Sequence, residues 1–244
     1  MFKAYQATMS NIRLYYPNTI VENSTNLLSK EHAHYLVNVM RLKRGSSVNF
    51  FNKNGEWLSE IVFLDRDRVE VKFLNKIKEP LIPTNIELAI CLVKKTSMEI
   101  ILQKATELGV AKITPIISER TEVKDLNIER ARKIVIEATE QSNQLNIPDI
   151  QEPKKLKNFI NSLNNDAGLF FADINTEKKI DKKNIEKYKT ISVLIGPEGD
   201  FSPAEREIIL AKDNTIPFSL SKNILRTETA AISALSLINY SLNL

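Results

Sequence analysis

Two periodicities divide this chain. In Ser47–Asn52, Glu56–Leu64 and Arg68–Leu74 apolar and polar positions largely alternate, the pattern of strands with one buried face. Asn54-Gly55 between the first two is a hairpin signal. Glu31–Leu42 carries helical spacing, so residues 11 to about 78 read as a β-rich unit with one helix. After the proline-marked stretch Glu79–Thr84 the pattern changes. Ile86–Val93, Ile113–Ile117, Leu169–Ala172, Thr190–Ile195 and Pro217–Leu220 are short apolar runs that read as strands. Between them, Ser97–Leu108 and Ile128–Ser142 have helical spacing, and Thr96 with Glu99 is spaced as a capping box. A last helix runs from Thr227 or Glu228 to Leu244, and Lys178–Lys189 reads as a solvated lysine-rich loop and helix. Strands alternating with helices predict an α/β unit with a mostly parallel sheet covered on both faces. The boundary falls near residue 80, giving units 1–80 and 81–244.

Composition narrows the chemistry. The 244 residues are 43% hydrophobic and 26% charged, ordinary values for a globular protein with a real core. One cysteine, Cys91, excludes an internal disulfide and a cysteine-rich zinc site, and its apolar run marks it as a buried, inert thiol. Two histidines, His32 and His34, do not make a metal site, so no metal is expected. There is no Gly-x-Ser-x-Gly elbow, no GxGxxG and no phosphate loop. Met1–Thr8 lacks the apolar centre of a signal peptide and no long apolar span occurs, so a cytoplasmic protein with no membrane partner is expected. Residues 1–80 hold twelve of the 34 basic and eight of the 30 acidic side chains; the rest of the chain, with 22 of each, is neutral. The whole net charge of +4 thus lies in the first unit, as suits a face that meets RNA phosphates. Arg41, Lys43 and Arg44 concentrate it in a turn before Gly45.

Two strand–loop–helix segments stand out. In Leu194–Glu205 an apolar strand ends at Gly196. Gly199 follows Pro197-Glu198, and Ser202-Pro203-Ala204-Glu205 opens a helix with a capping box. The glycines allow the chain to turn and a ligand to approach the backbone. In Leu220–Ala231 a polar turn, Ser221-Lys222-Asn223, leads to Arg226-Thr227-Glu228-Thr229 at a helix start. A cation there is disfavoured by the helix dipole, so Arg226 calls for an anionic partner. Two such loops can form one pocket for a small cofactor out of backbone edges.

Leu194-Ile-Gly-Pro-Glu-Gly-Asp-Phe-Ser and Ile224-Leu-Arg-Thr-Glu-Thr-Ala resemble the two signature motifs of the SPOUT-class, RsmE-type methyltransferases. His34–Arg41, Gln103–Val110 with Ile113-Thr114-Pro115, Ser118-Glu119-Arg120 and Glu140-Gln141-Ser142 through Pro148 fit as well. The likeness runs from about Arg13 to Leu244. It departs at Gln144, Asn146 and Asn223, where the family carries arginines, and at Asp200, where it carries glycine.

The resemblance implies a PUA-like, RNA-binding β unit followed by a SPOUT domain with a C-terminal trefoil knot. It implies methylation of N3 of one uridine in 16S rRNA of the small ribosomal subunit, with S-adenosylmethionine as cofactor, by a homodimer. Activity on another RNA or a ribose 2′-hydroxyl, or an inactive RNA-binding assembly factor, are the alternatives. The cofactor would lie against Ile195, Gly196, Pro197, Glu198 and Gly199, and against Leu220, Ile224, Leu225 and Thr229, bordered by Phe171. Arg226 would stabilise charge during transfer, with Glu198 and Glu228 as candidate bases. Arg13, Arg41, Lys43 and Arg44 are the RNA-binding candidates.

Overall fold

A computed structural model describes residues 12–65 and 68–243. The Met1–Thr8 stretch considered above and Leu244 lie outside the described residues. The chain divides into two compact units, one ending at Ile82 and one beginning at Pro83.

In the first unit, β1 (Arg13–Tyr15), β2 (Thr25–Leu27), β3 (Ser47–Asn52), β4 (Gly55–Asp65) and β5 (Arg68–Lys78) form a sheet in the order β1-β3-β4-β5-β2. β1 is parallel to β3; the other pairings are antiparallel. The alternating positions Val48, Phe50, Trp57, Ile61, Val69, Val71 and Phe73 supply the core. Each such side chain withdrawn from water contributes roughly 1.5–3 kcal/mol before entropy is charged against it. The hairpin turn sits one residue earlier than its sequence signal: the loop is Lys53-Asn54, and Gly55 already pairs with Asn52. Gly55 is needed for its φ of +138° and because a Cβ there would meet the Lys78 carbonyl.

The helix expected over Glu31–Leu42 is corrected. An α-helix, α1 (Lys30–His34), is capped by Ser29 and continues as a π-helical turn over Tyr35–Val39. Met40 N–H donates to the Tyr35 carbonyl, the wide spacing of a π turn, and Arg41 at φ +52° ends the segment.

In the second unit the elements are β6 (Ile86–Cys91), α2 (Lys95–Glu107), β7 (Lys112–Ile117), α3 (Ile128–Gln141), β8 (Asp149–Ile150), β9 (Lys154–Lys155), α4 (Leu156–Ser162), β10 (Ala167–Ala172), α5 (Lys182–Ile185), β11 (Thr190–Ile195), α6 (Pro203–Leu210), β12 (Thr215–Phe218) and α7 (Thr227–Leu242). Every pairing is parallel, in the order β12-β10-β11-β6-β7-β8, with β9 also against β7. Two prolines fit this ladder: Pro217 lies on the edge strand, and Pro115 falls where β7 passes from β8 to β9.

The strands bury both faces, as parallel strands do. Ile86, Leu88, Ile90, Ile191, Val193 and Phe170 face a core with α2, α3 and α7. Ala89, Cys91, Leu169, Phe171 and Leu194 face a second core with α4 and α6. On α7, Ala231, Ala234, Leu235 and Ile238 recur at helical spacing and form its buried stripe. The capping box expected at Thr96 and Glu99 does not form. The helix starts two residues earlier, with Lys94 in the extended cap position, so Thr96 is already inside it and Glu99 binds Arg130 on α3.

Candidate functional site

Parallel strands all deliver their loops to one end of a sheet, and ligands of such sheets sit outside the carboxyl ends, where crossovers part in opposite directions. Here that point lies between β6 and β11. The chain leaves β6 towards β7 through α2 on one face, and leaves β11 towards β12 through α6 on the other. Both segments singled out in the sequence start at this carboxyl end.

The first is Gly196–Ser202. Asp200 N–H donates to the Pro197 carbonyl at 3.0 Å, closing a tight turn. The left-handed residue of the turn is Asp200, at φ +57°, and neither Gly196 nor Gly199 has a positive φ. The turning role expected of the glycines therefore belongs to Asp200. Gly196 instead makes room for the Phe201 ring, which a Cβ would approach to 3.0 Å. Gly199 and Glu198 are exposed. The capping box forms as expected, Ser202 Oγ accepting from Glu205 N–H and Glu205 Oε2 accepting from Ser202 N–H.

The second segment, Ser219–Arg226, leaves the edge strand β12 and enters α7, which packs back on α2 and β11. Ser219 N–H donates to the Lys178 carbonyl at 2.7 Å, so the segment lies against the β10–β11 connection. Ile224 is 88% exposed. Arg226 occupies the N-cap position of α7 with extended backbone, and its guanidinium has no hydrogen-bond or ion-pair partner among the described residues. Glu228 is half-buried and Thr229 exposed. A structural pairing of Arg226 with Glu198 or Glu228 is not formed.

Other expected site residues are placed differently. The Phe171 ring is fully buried and stacks edge-on against Phe201 at 5.7 Å. That ring belongs to the core, so any part Phe171 has at the cofactor border falls to its backbone at the carboxyl end of β10. Ile195 and Pro197 are buried, Leu220 packs on the core and Leu225 is half-buried. In the first unit, Arg13 binds Glu56 at 3.0 Å and lies over the Phe51 ring, so this RNA-binding candidate is engaged internally. Arg41, Lys43 and Arg44 are exposed, with no ion pair among the described residues. Their turn is fixed by Gly45 N–H donating to the Ile61 carbonyl.

The sequence reading missed three features at the carboxyl end. Asp173, the residue after β10, is buried and bound by Arg206 of α6 at 2.7 Å. Burial alone would raise its carboxyl, but hydrogen bonds from Arg206 and from Asn175 outweigh it and hold the group below the usual carboxylate range. Arg120 reaches the Gly199 carbonyl, and Glu205 reaches Glu119 N–H. Cys91 is wholly buried as expected; burial pushes its thiol up to about 12, against hydrogen bonds from Ser118 and Thr121. A cavity of about 240 Å³ lies at the opposite, amino-terminal end of the strands, lined by Glu87, Lys112, Asp166, Thr190 and Ser192. The Glu87 carboxylate there is bound by Lys112, Thr114 and Ser192, so that cavity is polar and internally satisfied. No group of acidic, histidine or cysteine side chains among the described residues could hold a metal ion.

A family described as "RNA methyltransferase domain" matches residues 80–239, and one described as "RNA methyltransferase PUA domain" matches residues 28–74. The ribosomal RNA small subunit methyltransferase E of Rickettsia conorii is 33% identical over 229 residues, covering 92% of this chain and 93% of that protein. The chain belongs to the ribosomal RNA small subunit methyltransferase E family. A Neisseria gonorrhoeae methyltransferase E crystallised with S-adenosylmethionine superposes with a TM-score of 0.85 at 26% identity, covering 94% of this chain and 97% of that one. A Legionella pneumophila protein, also crystallised with this cofactor, gives a TM-score of 0.85 at 30% identity, covering 96% and 98%. Membership in the methyltransferase E family accounts for the two carboxyl-end loops together, and for the PUA unit that precedes them.

Proposed function

We propose that this protein transfers a methyl group from S-adenosylmethionine to N3 of one uridine in the 16S ribosomal RNA of the small ribosomal subunit. The observation that carries the reading is the pair of loops at the carboxyl end of a parallel sheet, in a chain whose relatives, matched over nearly its whole length, are named small-subunit ribosomal RNA methyltransferases. Two structural neighbours with the same sheet hold S-adenosylmethionine.

The residues present fit that group. The Gly196–Gly199 backbone is edged by exposed Gly199, and exposed Ile224 offers an apolar side chain beside polar loop backbone. Ile195, Pro197, Leu220, Leu225 and Thr229 complete the proposed lining, and Phe171 supports it from the core. Bound there, S-adenosylmethionine supplies an electrophilic methyl group on a sulfonium. The protein must then hold N3 in line and accommodate the charge left as this weakly acidic imide loses its proton. Arg226 can accommodate that charge, being a cation at the proposed site with no partner among the described residues, able to meet a uracil oxygen or a substrate phosphate. Glu198 and Glu228 are the carboxylates on the same two loops and the candidates to accept the proton.

The first unit contributes RNA affinity through Arg41, Lys43 and Arg44. The C-terminal segment is a trefoil knot in this reading. Its support is the crossing already described, from the edge strand β12, against the β10–β11 connection, to α7 on β11 and α2. A homodimer is proposed as well. α7 exposes Leu237 and Tyr240, and α2, against which it packs, exposes Ile100. Light scattering should give twice the 27.8 kDa chain mass; a monomer at micromolar concentration contradicts the dimer. No helix among the described residues is long and apolar enough to cross a membrane. A cytoplasmic location is part of the proposal, and a ribosomal substrate supports it.

The function is tested by incubating purified protein with methyl-labelled S-adenosylmethionine and either naked 16S rRNA or small subunits. Label entering RNA supports the reading. Cofactor binding without transfer to either RNA form assigns the enzyme another RNA substrate, and failure to bind the cofactor makes the protein an RNA-binding assembly factor instead.

A further inference from the structure

The turn that leaves β7 is tied to the loop that leaves β11 by two reciprocal contacts, and the two side chains that make them, Arg120 and Glu205, are not assigned above to cofactor or RNA. Glu205 on α6 is 7% exposed, and both of its carboxylate oxygens are engaged. Oε2 closes the helix cap on Ser202 N–H at 3.1 Å, and Oε1 accepts from Glu119 N–H at 2.8 Å. Arg120 returns the contact: its Nη1 donates to the Gly199 carbonyl at 2.8 Å and lies 3.5 Å from that of Phe201. The β7 turn is itself stiff. Ser118 N–H donates to Thr121 Oγ1 at 3.0 Å, the two hydroxyls lie 2.7 Å apart, and Thr121 N–H donates to the Ser118 carbonyl at 3.2 Å. Buried Cys91 lies against the same two hydroxyls.

A rigid turn thus grips a loop that has little internal bonding beyond the Asp200–Pro197 turn. Any residue of a binding loop that must be ordered when the ligand arrives weakens affinity, so a loop held in shape beforehand binds more tightly. We propose that Arg120 and Glu205 are positioning residues that hold the Gly196–Phe201 loop in its cofactor-ready shape from outside the site. The proposal rests on the reading that this loop binds S-adenosylmethionine.

Calorimetry with S-adenosylmethionine on the full chain tests it, with melting temperatures and single-turnover rates on the same samples. Arg120→Ala should weaken cofactor affinity about tenfold, with a melting temperature within about 2 °C of wild type, because the guanidinium is exposed. At saturating cofactor its single-turnover rate should return to the wild-type value, so the loss lies in KM and not in kcat. Arg120→Lys, which keeps a donor but not the fork, should recover part of the affinity. Glu205→Gln, which turns a donor towards one of two backbone N–H groups, should weaken binding as well. Ser202→Ala separates the tie from the cap: it should lower the melting temperature and leave affinity unchanged.

Wild-type affinity in Arg120→Ala overturns the proposal, as does an equal affinity loss in Ser202→Ala, which would mean that helix stability alone matters. Lost RNA affinity in Arg120→Ala with cofactor affinity intact also overturns it and assigns the residue to the substrate. If wild-type protein itself binds no S-adenosylmethionine, the functional reading fails first, and that result is distinct from the others.

Discussion

Gly196 and Gly199 sit three residues apart in one loop, yet replacing them should produce opposite effects. At Gly196 an added methyl comes within 3.0 Å and 3.3 Å of the Phe201 ring. That ring is 4% exposed and braced against the fully buried Phe171, so it cannot swing away. Overpacking of this kind costs about 1–3 kcal/mol. For a unit of roughly 160 residues each kcal/mol lowers the melting temperature by about 2–4 °C, so Gly196→Ala should melt several degrees early. At Gly199 the nearest atoms to an added methyl are Arg120 Cβ and Cδ at 3.6 Å and 3.7 Å, which is ordinary contact. The backbone there is outside the left-handed region, so a side chain brings no strain and reduces unfolded-state entropy by about 0.4–1 kcal/mol for alanine. Gly199→Val should therefore fold and melt like wild type, yet lose at least about tenfold in S-adenosylmethionine affinity because its side chain fills the ligand's approach. Differential scanning fluorimetry and calorimetry on both variants measure the two effects. Normal affinity in Gly199→Val removes the loop from the site. An unchanged melting temperature in Gly196→Ala refutes the packing argument.

Arg226→Ala should reduce single-turnover methyl transfer about 10²-fold or more, with melting temperature and cofactor affinity little changed, since the guanidinium has no partner among the described residues to lose; a parallel fall in stability would make it structural. Arg226→Lys should restore only part of the rate. Changing Arg41, Lys43 and Arg44 together to Ala should weaken RNA binding and flatten its dependence on salt, and an unchanged slope would move the RNA surface to the second unit. Asp173→Asn should destabilise the protein at neutral pH. The folded carboxyl is held below its unfolded value of about 3.9, so its contribution is present above that pH and is lost as pH falls through the folded value. The stability gap between variant and wild type should therefore close below about pH 4, and a gap independent of pH would mean that the ion pair with Arg206 is not its source.

Much of the second unit was legible in the sequence because its strands are buried on both faces and read as unbroken apolar runs; Thr190–Ile195 coincides with β11. The Ser202–Glu205 capping box was equally readable, since its partners are three residues apart. The same signal at Thr96 and Glu99 misled, because Glu99 had a stronger partner in Arg130, 31 residues away. Strands of two or three residues, β1, β2, β8 and β9, are too short to show a period. α4 is only seven residues long and escaped for the same reason. The π turn after His34 also left no separate mark, because one extra residue per turn still buries Leu36. At the site the loops were visible, but their supports were not. Arg120 with Gly199 and Glu205 with Glu119 join residues 79 and 86 positions apart, as Arg13 and Glu56 in the first unit are joined across 43, and only the fold brings such partners together.

The most direct test of the central claim is nucleoside mass spectrometry of small-subunit RNA treated with the purified protein and S-adenosylmethionine. RNA from a strain lacking the gene for this protein serves as substrate. The account predicts one new methyl group per RNA, on the base of a uridine at N3, absent from the Arg226→Ala reaction at the same time point. A methyl group on a ribose 2′-hydroxyl, or no methyl group on RNA or intact subunits by protein that binds the cofactor, would contradict it.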